Sequence, residues 1–214
     1  MRQIPDKILL ATRNPGKVSE IRRLLAGLDV ELPSLLDIPA GPEVGEPYST
    51  FEENAVHKAR EAACATGMWA LADDSGLEID ALEGLPGAAS HRFAGADASD
   101  ADRNAVVLER MRDVPMDSRT ARFVCVVALC APQGEVAVWR GTCEGMIADA
   151  PRGSGGFGYD PIFYVPSHRR TMAEMPPELK NRLSHRAAAF GQVRRDLAAG
   201  TAPFRTGYSG ADGG

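Results

Sequence analysis

The sequence predicts an α/β fold, and three stretches carry that expectation. Lys7 to Thr12 is a short apolar run that ends in Arg13-Asn14-Pro15-Gly16. It is followed by Val18, Ile21, Leu24, Leu25 and Leu28. Spacings of three and four place one apolar stripe on a helix, so the order reads strand, loop, helix. The run Met68-Trp69-Ala70-Leu71 precedes Ala72-Asp73-Asp74-Ser75-Gly76-Leu77, which predicts a strand ending in a tight acidic turn. Open α/β sheets hold ligands at the carboxyl ends of their strands, so two carboxylates there mark a candidate site. Phe123 to Cys130 and Val136 to Cys143 are rich in strand-forming residues and flank Pro132-Gln133-Gly134, a hairpin pattern.

The remaining elements follow in order. Residues 37–50 are rich in Pro, Gly and Glu and read as a surface loop. Thr50 with Glu53 forms a capping box for a helix over Phe51 to Thr66, closed by Gly67. Leu77 to Leu82 reads as a short strand and Glu83-Gly84-Leu85-Pro86-Gly87 as a loop. Ser99 caps a helix from Asp100 to about Arg112, with Val106, Val107 and Met111 inward. Gly155-Gly156-Phe157-Gly158-Tyr159-Asp160-Pro161 leads into a strand over Ile162 to Val165. A last helix runs from about Pro177, at a favourable first-turn position, to Ala199. The Gly-rich stretch 200–214 is expected to be a disordered tail. No internal repeat or clean boundary interrupts residues 1–199, so the expectation is one two-lobed domain.

Composition narrows the function classes. The longest apolar run, Val124 to Ala131, is far too short to span a membrane. Ile8 to Ala11 is too short for a secretory leader and follows Asp6 and Lys7. Cys64, Cys125, Cys130 and Cys143 lack metal-binding or disulfide-framework spacing and read as reduced core thiols of a cytoplasmic protein. A net charge of −5 disfavours general binding to a nucleic-acid backbone. The distribution says more. Residues 41–102 hold 13 acids against 3 bases, whereas residues 168–195 hold 7 bases against 2 acids. Solvated faces are the commoner origin of such asymmetry; a site for a metal and a polyphosphate needs the same two signs.

Four clusters carry candidate chemistry. Asp73 and Asp74 offer hard oxygens suited to Mg²⁺, although Asp, Ser and Gly also make plain turns. Thr12, Asn14, Gly16 and Lys17 stand between a strand and a helix start, where backbone N–H groups and a lysine suit phosphate. A simple capped turn has the same composition, and the Walker pattern is absent. Gly156-Phe157-Gly158-Tyr159-Asp160 combines rings, an acid and permissive glycines. That mixture suits a planar base as well as a core bend. Lys180, Asn181, Ser184, His185 and Arg186 form a polar cluster on the last helix, packed by the apolar residues that follow.

The set TRNPGK (12–17), FEENAVHKA (51–59), ADDSGLEIDAL (72–82), GGFGYDPIF (155–163) and LKNRLSHRA (179–187) resembles the Ham1/RdgB family of inosine triphosphate pyrophosphatases. The five motifs stand in family order across residues 7–199. The resemblance implies an elongated mixed β-sheet with flanking helices, forming two lobes around a central cleft. It implies hydrolysis of ITP, dITP and XTP to the monophosphate and pyrophosphate with Mg²⁺, by a homodimer. By position, Thr12, Arg13, Asn14, Pro15, Gly16 and Lys17 resemble the phosphate loop. Asp74 resembles the catalytic acid and metal ligand, and Ser75 a substrate contact. Phe157, Gly158, Tyr159 and Asp160 resemble the base loop, with Lys180, His185 and Arg186 as further nucleotide contacts. Glu46 stands where the family often has a second metal-holding acid, but Pro47-Tyr48-Ser49 departs from the usual pattern there. Arg13 replaces a common glycine.

Rivals fit less well. A serine hydrolase would need a Gly two residues before Ser75, where Asp73 stands. Maf-like pyrophosphatases typically open with Ser-Pro-Arg-Arg rather than Arg-Asn-Pro-Gly-Lys. A nucleotide-binding regulator has no need of metal-side carboxylates. The expected mechanism is metal-assisted attack of water on the α-phosphorus, with Asp74 or Asp73 orienting or deprotonating the water. Lys17, Lys180 and Arg186 are the cations expected to offset charge.

Overall fold

The computed structural model of the chain describes residues 5–38 and 40–206. Its strands are β1 (Ile8–Leu10), β2 (Trp69–Ile79), β3 (Thr120–Cys130), β4 (Val136–Ile147), β5 (Phe163–Val165) and β6 (Arg170–Thr171). They form a mixed six-stranded sheet in sequence order. β1 pairs with β2 in parallel, and β5 pairs antiparallel with both β4 and β6. The helices are α1 (Pro15–Leu24), α2 (Phe51–Thr66), α3 (Asp100–Arg110), α4 (Pro177–Leu183) and α5 (His185–Ala199). The chain divides into two compact units. The first holds residues up to Asp74, Val126–Gly141 and Ala189 onward; the second holds Ser75–Cys125 and Thr142–Ala188.

In the first unit, β1 runs beside β2 with Ile8 opposite Trp69 and Leu10 opposite Leu71. Its other side bridges Glu31 and Ser34. All three of its residues are buried, which explains an apolar run without alternation. Asn14 caps α1, its side chain accepting from the Lys17 N–H. Thr50 caps α2 as expected, and Gly67 closes it at φ 67. A row of alanines at 55, 59, 62 and 63 is fully buried; small side chains there let the helix backbone approach its neighbours closely.

The second unit has a continuous core that includes Leu77, Ile79, Val107, Met111, Phe123, Ile147 and Phe163. Phe123 and Phe163 meet with ring centroids 4.3 Å apart. Ser99 and Asp102 form a capping box at the start of α3. The buried Arg119 donates to the carbonyls of Met111, Val114 and Ala148. It satisfies acceptors at and beyond the end of α3, where no intrahelical N–H reaches.

Three expectations are corrected. Asp73-Asp74-Ser75-Gly76 is no turn at a strand end; all four lie inside the continuous strand β2. Turn propensity yields because each carboxylate finds a lysine partner in place and the strand is buried. The last helix is two helices, because Ser184 takes extended backbone angles (φ −65, ψ 145). Ser184 restarts the ladder as a cap, its Oγ accepting from the Ala187 N–H at 3.0 Å. The expected tail is partly built in: Arg205 exchanges two backbone hydrogen bonds with Val136, at 3.1 and 2.8 Å, and Phe204 meets Trp69 edge to face. The rest of that stretch, 207–214, lies outside the described residues.

Candidate active site

The first unit assembles an alternating set of charges. Successive side chains of a strand face opposite ways, so Asp73 and Asp74 separate although they are neighbours. Lys17, in the first turn of α1, reaches Asp73 Oδ2 with its Nζ at 3.1 Å. Lys58, from the middle of α2, lies 3.1 Å from Asp74 Oδ1 and 2.7 Å from Glu46 Oε1. Asn54, one turn before Lys58, donates from Nδ2 to Asp74 Oδ2 and to the Tyr48 carbonyl, both at 3.2 Å. Its Oδ1 accepts from the Tyr48 N–H at 2.9 Å. One buried amide thereby ties the loop that carries Glu46 to the strand that carries Asp74.

The electrostatics follow from burial. Asp74 has its pKa raised to about 6, chiefly by desolvation, with Lys58 opposing and the Glu46 charge adding to the rise. For Lys58 desolvation pulls the other way, but the charges of Asp74, Asp73 and Glu46 outweigh it and raise its pKa. An acid poised near neutrality in a buried site is what general-base chemistry needs.

Among the described residues no three His, Cys, Asp or Glu side chains form a metal cage. Mg²⁺ does not need one, since it is commonly held by one or two carboxylates with substrate phosphates supplying further oxygens. The hard-oxygen pair Glu46 and Asp74, converging on a single ammonium, fits that chemistry. Asp73 is turned to Lys17 instead.

The phosphate-loop candidates separate by role. Thr12 Oγ1 accepts from the Asn14 N–H, and Asn14 Oδ1 from the Lys17 N–H, so both shape the turn. Pro15 and Gly16 are exposed in the first turn of α1. The Arg13 guanidinium donates to the carbonyls of Leu35 and Gly41, each at 2.8 Å. It anchors the 35–41 loop.

The second unit gathers the base-loop candidates. Gly156 has φ +78, and a Cβ there would come within 2.1 Å of Asp160 Oδ2 and 2.7 Å of Lys180 Nζ. Only glycine allows that approach. Asp160 is buried; its carboxylate accepts from the Phe157 N–H at 2.8 Å and pairs with Lys180. Phe157 is 66% exposed, and Lys180 Nζ stands 4.9 Å from its ring centroid. A large ring left in water beside an ammonium has the chemistry to take a planar partner. Tyr159 is different. Its ring is buried and its hydroxyl donates to the Ser90 carbonyl at 2.7 Å, which anchors the loop. Burial raises its pKa to about 12.

His185 stacks on Phe123, with centroids 5.0 Å apart, and Arg186 is buried. Ser75 is half-buried in β2. Of the four cysteines Cys64 is exposed, against the expectation of a core thiol; the other three are buried, and none of the four is in a disulfide.

Sequence reasoning missed Lys58 and Asn54. The two lie four residues apart in the Glu-Asn-Ala-Val-His-Lys stretch of α2, on one helix face. That spacing was a readable signal for two polar groups serving one site.

Comparison with known proteins places the chain. The Ham1 family model matches residues 8–196. A dITP/XTP pyrophosphatase of Geobacillus kaustophilus is 52% identical over 187 residues, covering 87% of this chain and 92% of the relative. One of Geobacter sulfurreducens is 50% identical over 191 residues, covering 89% and 96%. A HAM1 protein structure from Coxiella burnetii superposes with a TM-score of 0.86 at 46% identity, covering 90% of this chain and 98% of that one. A dITP/XTP pyrophosphatase structure from Mycobacterium abscessus gives 0.75 at 46% identity, covering 90% and 97%. With its motifs, its mixed sheet and a match that spans nearly the whole chain, the protein belongs to the Ham1 family.

Proposed function

We propose that the chain hydrolyses non-canonical purine nucleoside triphosphates (dITP, ITP and XTP) to the monophosphate and pyrophosphate, clearing them from the nucleotide pool. The observation that carries this reading is the convergence of Glu46 and Asp74 on Lys58, beside the Lys17–Asp73 pair. Alternating acids and ammonium groups suit a triphosphate that arrives with a cation. Relatives named dITP/XTP pyrophosphatase, at about half identity over most of the chain, support it.

Mg²⁺, held by the carboxylates of Glu46 and Asp74, would supply charge neutralisation at the phosphates. The chain's own residues do the rest. The turn Thr12 to Lys17 and the start of α1 receive phosphate oxygens, and Lys17 offsets their charge while Asp73 holds its ammonium in place. Asp74 takes the proton of the attacking water; the oxygen bonds to the α-phosphorus, the α–β bridge breaks, and pyrophosphate leaves. Phe157 stacks on the base, with Lys180, His185 and Arg186 as further nucleotide contacts and Ser75 beside Asp74 as a substrate contact.

The base's 6-keto group is left to donors other than two of the loop's own N–H groups. The backbone N–H groups of Phe157 and Gly158 already donate to Asp160 and Asp100.

The same reading includes a homodimer in the cytoplasm. Three buried cysteines outside any disulfide suit that compartment. The test is pyrophosphate release from ITP with and without Mg²⁺. Metal-dependent release is expected, and its absence in a folded preparation overturns the proposal.

A further inference from the structure

The geometry points to Asp100 and Asn104 as positioning residues that hold the Phe157 platform from behind. This inference rests on the base-stacking role proposed for Phe157. The two side chains stand four residues apart on α3 and therefore share a face. Asp100 Oδ2 accepts from the Gly158 N–H at 2.6 Å, and Asn104 Nδ2 donates to the Gly158 carbonyl at 3.1 Å. Both polar groups of one loop residue are thus held by one helix.

Three details argue that the clamp serves the loop. Gly158 has φ +61, so the chain turns sharply where the clamp grips it. Asn104 is buried, and its side chain makes this one hydrogen bond; its Oδ1 has no partner among the described residues. A buried amide half-satisfied costs stability, and an apolar residue would pack there without that cost. Asp100 is in turn fixed by Arg103, which also donates to the His91 carbonyl at 2.9 Å.

A second anchor acts on the next residue. Tyr159 hangs from the Ser90 carbonyl, and the Ser90 hydroxyl accepts from the Leu77 N–H of β2 at 2.9 Å. Phe157 is therefore an exposed ring on a backbone fixed at the two positions that follow it. Fixing a recognition group before binding removes its ordering cost, and affinity rises accordingly.

Loss of the clamp should then weaken recognition of the base and leave recognition of phosphate alone. Calorimetry on the full chain separates the two, using IMP, which carries the base, and inorganic tripolyphosphate, which does not. Asn104→Ala is expected to weaken IMP binding by about tenfold, the scale of a lost buried hydrogen bond, with tripolyphosphate affinity unchanged. Asp100→Ala provides a second arm on a side chain that is 46% exposed and so tolerant of change; Asp100→Asn, which keeps an acceptor oxygen, should restore most of the loss. Unchanged IMP affinity in the alanine variants, or equal weakening of both ligands, overturns the inference. Failure of the unsubstituted protein to bind IMP at all overturns the base-stacking reading itself, and this inference with it.

Discussion

Asp73 and Asp74, neighbours in one strand, each meet a different lysine: Lys17 lies 3.1 Å from Asp73 and Lys58 lies 3.1 Å from Asp74. Strand alternation alone produces that division. Both carboxylates are buried; Asp73 pairs with the ammonium proposed to meet phosphate, whereas Asp74 has its pKa raised toward neutrality.

Asp74→Asn keeps the size of the side chain and removes its charge. Turnover of ITP with Mg²⁺ should fall by at least ~10²-fold, the usual scale for one acid–base or electrostatic group. Asp73→Asn should act more mildly and mainly through KM, because it loosens Lys17. Near-normal turnover in folded Asp74→Asn would remove this residue from the mechanism.

Lys17→Ala should raise KM and lower kcat together, since the ammonium meets charge that grows toward the transition state. A variant altered only in thermal stability would show that the loop is structural.

The raised pKa of Asp74, about 6, sets a pH dependence for cation binding. The ionised carboxylate binds Mg²⁺ and the protonated one does not, so affinity should be flat above that value. Below it, affinity should drop by about tenfold per pH unit, following proton linkage. Calorimetric titration of Mg²⁺ between pH 5 and pH 8 reads this directly; affinity independent of pH across the range would separate Asp74 from the cation.

Discrimination among purines should follow hydrogen-bond matching. ATP carries a 6-amino group where ITP and XTP carry a keto oxygen, and GTP adds a 2-amino group. A mismatched buried polar group costs ~1–3 kcal/mol, and a site built on hydrogen bonds can reach ~10⁴-fold discrimination. Values of kcat/KM for ITP, XTP, GTP and ATP on one preparation should rank the first two far above the others. Comparable values for ATP and ITP would contradict a pool-cleaning role.

Truncation after Gly200 should lower the melting temperature, because it deletes the backbone pair between Arg205 and Val136 and the Phe204–Trp69 contact. The expected loss is ~1–2 kcal/mol, given the worth of an aromatic pair and of net backbone bonds. Trp69 fluorescence should change with it. An identical melting curve would make the segment dispensable.

The sequence by itself determined much of this protein. Thr50 and Gly67 bound α2 because caps satisfy backbone groups through residues next in the chain. The rings, acid and glycines of 156–160 suited a planar base and a core bend alike, and only the folded chain left the Phe157 ring exposed and buried Asp160. What tertiary structure decided lies where partners come from far along the chain. Asp73-Asp74-Ser75-Gly76 has turn chemistry on its own and became strand once Lys17 and Lys58 stood ready to accept the two charges. Arg13 was a phosphate candidate by position, and Tyr159 a base contact by type. Carbonyls 22 to 28 residues beyond Arg13, and one 69 residues before Tyr159, accept hydrogen bonds from those side chains, partners that no local pattern announces. A polar side chain goes to whichever partner burial leaves unsatisfied, and burial is a property of the folded chain rather than of its neighbours in sequence.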